Sequence, residues 1–280
     1  MTGLYKLFTP KVMTNKYTIY REYRPTQALR PYIHCYWSSV PGVHFAPASF
    51  TDTVIPDGCS DIIVEFDTAT KTYNMIYCGI FDHYFQTEEV NNLNKAFFGI
   101  RFFPGGALPF LDYKQKEFSN MIVDISEINK SLTGQIGEHI VHASSNTDRV
   151  KWAEAFLLKK LSNKIGKTTS SSLLNNMLYT IFSRNGNISV HELCSMEFTD
   201  ARTVNRLFHK WIGLSPKKFC QIIRFQSTVQ ALVDKTNPLT VASQFGYYDQ
   251  AHFIHDFNKY LGKTPSAVNL SDFYNTISEA

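Results

Sequence analysis

The chain has 280 residues, of which 44% are hydrophobic and 14% aromatic, and a formal net charge of +4. That length suits two domains of about 100 to 200 residues each, and the apolar content excludes global disorder. No apolar run approaches the roughly 18 residues of a membrane-spanning helix, and the opening MTGLYKLFTPKVMTNKY lacks the apolar core of a signal peptide, so a cytoplasmic protein with no membrane partner is expected.

Residues 1–147 read as β-rich. The runs DTVIP (52–56), DIIVEF (61–66), YNMIYCGI (73–80) and KAFFGIRFF (95–103) are β-branched and aromatic, and Pro56-Asp57-Gly58 and Pro104-Gly105-Gly106 punctuate them. A small antiparallel barrel or jelly roll is predicted. Ser60 and Asp61 lie in no Gly-x-Ser-x-Gly elbow, so no catalytic residue is assigned. The Gly105-Gly106 pair reads as a tight turn, and Arg101 beside it as either a ligand-anchoring charge or an ordinary salt bridge. Cys35, Cys59, Cys78, Cys194 and Cys220 are odd in number and form no C-x-x-C pair, which predicts reduced, mostly buried thiols.

Residues 148–172 connect the halves. DRVKWAEAFLLKKL (148–161) has Val150, Ala153, Phe156, Leu157 and Leu161 along one side, an amphipathic helix starting at Asp148 that either packs on the barrel, the favoured alternative, or pairs with a second chain. SNKIGKTTSSS (162–172) follows as a polar linker.

Residues 173–280 read as all-α and contain a repeat. FHKWIGLSP (208–216) and FNKYLGKTP (257–265) share one pattern at a constant offset. In each, an apolar face at i, i+3 and i+4 runs into a helix-stopping Gly213 or Gly262, then into Ser215-Pro216 or Thr264-Pro265 as the next cap and first turn. Upstream, Ser189 is expected to cap VHELCSM and Asp200 to cap DARTVNRLFHKW; Thr240 is expected to open VASQF and Asp249 to cap QAHFIHDFNKYL. Each copy is thus helix, turn, helix, the layout whose second helix enters a DNA major groove. SPKKFCQIIRFQSTVQALVD (215–234) joins them as a helix of roughly 27 to 30 Å, which suits two major-groove segments about one turn of duplex apart. Ten basic and six acidic residues fall between 184 and 270, so this region carries the whole net charge.

RLFHKWIGLSPKKF (206–219), RFQ (224–226) and GYYDQAHFIHDFNKYLGKTPS (246–266) resemble the DNA-binding domain of the AraC/XylS family of bacterial transcription regulators. VIPDGCSDIIVEF, FFGIRFFPGGALPFL and REYRPTQALRPYIHCYWSS resemble the cupin-like amino-terminal domain of one branch of the same family, which senses a small molecule or supports dimerisation. A metal-binding cupin carries His-x-His with a further Glu and His, a spacing that His34, His44 and His83 do not offer. The whole is then an α+β multidomain regulator, not an enzyme, with no metal or cofactor. Its partners would be double-stranded DNA and a small-molecule effector, with RNA polymerase and a second copy of the chain as further candidates.

The resemblance implies that residues 200–206 and 248–255 face DNA, namely Asp200, Ala201, Arg202, Thr203, Asn205, Arg206, Tyr248, Asp249, Gln250, His252 and His255. Arg202 and Arg206 suit bidentate contacts to guanine or to phosphate, and Lys210, Lys217 and Lys218 suit phosphates. His252 and His255 are read as groove or phosphate contacts on the exposed side of their helix, because no third residue completes a metal site; His191 and Cys194, also three apart, are treated alike. The competing class is a ligand-binding cupin or enzyme whose helical tail makes protein contacts.

Overall fold

A computed structural model describes residues 2–42, 47–163, 172–234 and 238–273. Most of the expected linker, together with His44 and Lys235, therefore lies outside the described residues.

A short helix α1 (Thr2–Leu7) precedes strands β1 (Thr18–Tyr23), β2 (Ile33–Pro41), β3 (Ser49–Val54), β4 (Ser60–Asp67), β5 (Tyr73–Cys78), β6 (Phe85–Val90), β7 (Lys95–Phe102) and β8 (Ile122–Asp124). β1-β2-β7-β4-β5-β8 form one antiparallel sheet, and β3 and β6 pair as a second. The period of two along each strand divides the large sheet cleanly. Ile62, Val64 and Phe66 on β4, with Phe98, Ile100 and Phe102 on β7, belong to a core shared with the helices that follow, while Asp61, Ile63, Glu65, Phe97 and Arg101 line a cavity between the two sheets.

Those helices are α2 (Leu108–Leu111), α3 (Ile125–Leu132), α4 (Glu138–His142) and α5 (Asn146–Ser162). α5 buries Val150, Ala153 and Leu157 in the core of the β-rich half, the intrachain one of the two alternatives that the amphipathic pattern left open. It starts earlier than Asp148, because Ser145 caps it: the Asp148 amide donates to Ser145 Oγ at 3.1 Å.

The helical half comprises α6 (Ser172–Ser183), α7 (Val190–Met196), α8 (Ala201–Trp211), α9 (Pro216–Val233), α10 (Pro238–Gln244) and α11 (Gln250–Leu261). Ser189, Asp200, Ser215 and Asp249 cap α7, α8, α9 and α11 as expected. Two expectations are corrected. α10 opens at Pro238 rather than after Thr240, since a proline at the first turn surrenders no hydrogen bond. Thr264-Pro265 opens only a 3-10 turn, Pro265–Ala267, with no side-chain cap.

The halves are not separate globules. Ile55, Cys59, Ile80, Phe103 and Leu108 share one hydrophobic cluster with Phe182, Trp211, Phe219 and Ile223 of the helical half. The amino-terminal arm crosses into it too: Phe8 packs on Phe182 at 4.9 Å and on Phe103 at 5.3 Å, and the Thr14 amide donates to the Asp272 carbonyl at 2.7 Å.

Candidate nucleic-acid interface and N-terminal cavity

Each recognition helix is built from local chemistry. Asp200 Oδ1 accepts the Thr203 amide at 2.9 Å and Asp249 Oδ1 accepts the His252 amide at 2.7 Å, satisfying amides left open at a helix start. α8 buries Val204, Phe208 and Trp211, and α11 buries Phe253, Phe257, Tyr260 and Leu261. What remains outward on α8 is Ala201, Arg202, Arg206 and Lys210, all exposed; on α11 it is Gln250, Ala251, His255 and Asn258. Between the two units runs α9, unbroken over 18 residues, which corresponds to about 27 Å.

Several expected contacts are already engaged inside the chain. Thr203 Oγ1 donates to Asp200 Oδ2 at 2.8 Å, and Asn205 Nδ2 to the Ala201 carbonyl at 2.8 Å, so both side chains serve their own helix. Lys217 is exposed, but Lys218, expected at a phosphate, is paired with Asp82 of the β-rich half. Burial opposes the Asp82 charge, yet hydrogen bonds from Lys218 and His83 hold its carboxyl down at about 2.

The two histidines differ. His255 is exposed, whereas His252 is half-buried and turned inward, a correction to the reading that set both on the outer side. The imidazole follows a buried pair that sequence reasoning missed: Arg224 of α9 reaches Asp256 of α11 at 2.9 Å, and His252 Nε2 lies 3.3 Å from the same guanidinium nitrogen. The guanidinium also covers the Tyr247 ring, 4.5 Å from its centroid.

Residues 193–270 match the family described as a helix-turn-helix domain, and residues 21–124 match a family described as a domain of unknown function (DUF6597). Residues 193–270 are thus an AraC-type helix-turn-helix domain. No curated protein matches the chain in sequence. Among solved structures, the chain is similar to ToxT from Vibrio cholerae, at 11% identity over 78% of this chain and 96% of that one with a TM-score of 0.40. A 1.65 Å structure of ToxT gives 13% identity over 79% and 97%, with a TM-score of 0.41. ToxT bound to (E)-4-(8-methylnaphthalen-1-yl)but-3-enoic acid gives 11% identity over 79% and 97%, with a TM-score of 0.40.

The AraC-type domain faces a β-rich half that carries a cavity of about 310 Å³. Tyr20, Trp37, Phe50, Phe85 and Phe97 line it, and Gly99 makes room for the Trp37 indole, since a Cβ there would stand 2.0 Å from that ring. At one end Arg101 is an ion-pair centre: its Nε lies 3.2 Å from Asp61 and 3.6 Å from Asp57, and its Nη1 3.7 Å from Glu22. Trp37 Nε1 donates to Asp61 at 2.6 Å. Burial pushes the Asp61 and Glu22 carboxyls up while Arg101 pulls them down, so the guanidinium stays charged among groups that share its compensation. At the other end Lys95 clasps Glu65 at 2.9 Å and Glu89 at 3.0 Å, tying the two sheets together. Among the described residues no group of three or more His, Cys, Asp or Glu is placed to hold a metal ion, and no helix is long and apolar enough to cross a membrane.

Proposed function

We propose that the chain is a sequence-specific double-stranded DNA-binding transcription regulator that reads two adjacent major-groove segments and responds to a small molecule held between its β-sheets. The observation that carries the reading is the pair of aspartate-capped recognition helices, α8 and α11, flanking one unbroken connector. In this role Arg202 and Arg206 read or clamp the first segment, Gln250 and His255 the second, and Lys210 and Lys217 neutralise phosphates. His252 supports α11 from behind rather than reaching the groove. The division into a sensor (1–147), a connection (148–172) and a DNA-binding domain (173–280) belongs to the same reading.

A physical route between the two tasks supports the response to a ligand. Asp57, beside Arg101 at the cavity end, lies in the loop that also contains Ile55, Pro56, Gly58 and Cys59. The Pro56 carbonyl accepts from Gln226 of α9 at 2.8 Å, and Gly58 sits so close to α9 that a Cβ would lie 3.2 Å from the Phe219 ring. A ligand that moves Arg101 thus acts on the connector through one short loop. Asp52, a cavity carboxylate with no cationic partner among the described residues, favours a ligand with a positive charge.

Selection of bound duplexes from a random library by the full-length chain tests the proposal. Two short enriched blocks about one helical turn apart are expected. Retardation without any enriched sequence would sink sequence-specific reading.

A further inference from the structure

Among the large apolar side chains of the described residues, two are nearly bare. Phe198 is 97% exposed and Tyr248 is 93% exposed, against 66% for Val90, the next in order. Both lie in the turn that leads into a recognition helix: Phe198 two residues before the Asp200 cap, and Tyr248 immediately before Asp249. Neither ring packs on another aromatic ring among the described residues, so neither contributes to the core behind it.

Phe198 is also in an unfavourable backbone state. Its φ is +49°, in the left-handed region that a bulky side chain rarely adopts, whereas the second unit uses Gly246 at +72° in its turn. A phenylalanine held at positive φ with its ring in water gives the free chain nothing that glycine would not, and strain of this kind points to a bound state in which the side chain is used.

The neighbours indicate which bound state. Exposed Arg202, Arg206 and Lys210 follow Phe198, and exposed Gln250 and His255 follow Tyr248. The two cap aspartates are occupied by amides of their own helices, and Glu197, next to Phe198, accepts from Asn176 Nδ2 at 3.2 Å. A cationic and polar face with one apolar ring per unit matches a duplex, which offers phosphates together with the apolar edges of deoxyribose and the methyl groups of thymine. We propose that Phe198 and Tyr248 are paired aromatic contacts to DNA, one at the edge of each major-groove segment, beside the recognition helix that reads it.

This inference rests on the DNA-binding reading and is tested with full-length protein and its selected duplex. The variants are Phe198→Gly, which relieves the backbone strain, and Tyr248→Ser. Each is expected to melt no lower than the parent while Kd rises about ten-fold, equivalent to about 1.4 kcal/mol. The slope of log K against log salt should stay unchanged, because no phosphate charge is lost; a lysine contact would lower it by about one. Replacing thymine by uracil at the block edges separates the two apolar partners: affinity of the parent falls if methyl groups are touched and holds if sugars are. Unchanged Kd in both variants overturns the inference and assigns the rings to a protein surface. A loss of affinity that tracks a lower melting temperature overturns it as well, since the rings would then be structural. A parent that binds no duplex overturns the underlying reading, and this one with it.

Discussion

Replacing Asp256 with alanine tests the buried pair that fixes the second helix-turn-helix unit on the connector. The Asp256 side chain is 4% exposed and that of Arg224 is 12% exposed, and they meet at 2.9 Å. Arg224 Nε is buried without a hydrogen-bond partner, so the guanidinium depends on this carboxylate, the face of Tyr247 and the edge of His252. Deleting the carboxylate leaves a charge facing a ring and an imidazole. Breaking buried pairs by removing one member costs about 3 to 5 kcal/mol, and the residual exposure of Arg224 places this one near the lower end, at about 3 kcal/mol. At about 2 to 4 °C per kcal/mol for chains of 150–250 residues, the melting temperature should fall by roughly 6 to 12 °C. Thermal melting with denaturant titration measures this, and footprinting should show the second block of the site lost before the first. The double variant Arg224→Met with Asp256→Leu should recover most of the loss, because removing both charges leaves none unpaired. A single-variant cost below about 1 kcal/mol, or a double variant no more stable than the single, would refute the reasoning.

Arg202→Ala should relax preference at one base position by about 1 to 3 kcal/mol if the guanidinium reads guanine; an equal loss on every sequence would make it a phosphate contact instead. Gly99→Ala places a Cβ inside the space of the Trp37 ring, and overpacking of this kind costs about 1 to 3 kcal/mol. Tryptophan emission should report the indole moving away from Asp61, and an unaltered spectrum with full stability would show that the cavity wall yields freely. The Asp82 carboxyl is held at about 2 against an ordinary 3.8, so its pairing with Lys218 stabilises the folded chain above pH 3.8 and that contribution is lost as the pH falls toward 2. The stability gap between the parent and Asp82→Asn should therefore be constant near neutrality and close over that acid window; a gap that persists at the acid end would exclude the pair as its cause.

The helical half was legible in the sequence because its determinants are local. Caps such as Asp200 and Asp249 act on amides three residues away, and the Gly-x-Ser-Pro and Gly-x-Thr-Pro endings mark where helices stop. Four of the strands were legible for the same reason, as runs of β-branched and aromatic residues. The Arg224 and Asp256 pair spans 32 positions, and the Lys218 and Asp82 pair spans 136, so no spacing rule reaches them. With Asp256 hidden behind α11, His252 looked like a free surface imidazole. Phe198 left no signal, because a left-handed turn is usually announced by glycine or asparagine. The cavity was concealed by composition: Ile63 and Phe97 on its wall are as apolar as Val64 and Phe98 on the opposite face, so alternation did not mark the two sides. The sequence leaves Arg101 as either an anchor or a salt bridge, and in the fold it is an ion-pair centre that also lines the cavity.

The cluster that joins Ile55, Cys59, Ile80, Phe103 and Leu108 to Phe219 and Ile223 has a bearing on inheritance. A regulator assembled from independent modules can exchange one half for another and keep the remainder intact. Here the connector helix is packed between the other helices and the β-rich half, with Phe219 and Ile223 in the shared cluster, so a chimera must carry those five positions along with its new sensor. A fragment from 173 onward would present Trp211, Phe219 and Ile223 to water and is expected to aggregate. Substitutions that persist in one half should thus be constrained by the other, and the unit on which selection acts is the seam rather than either side of it.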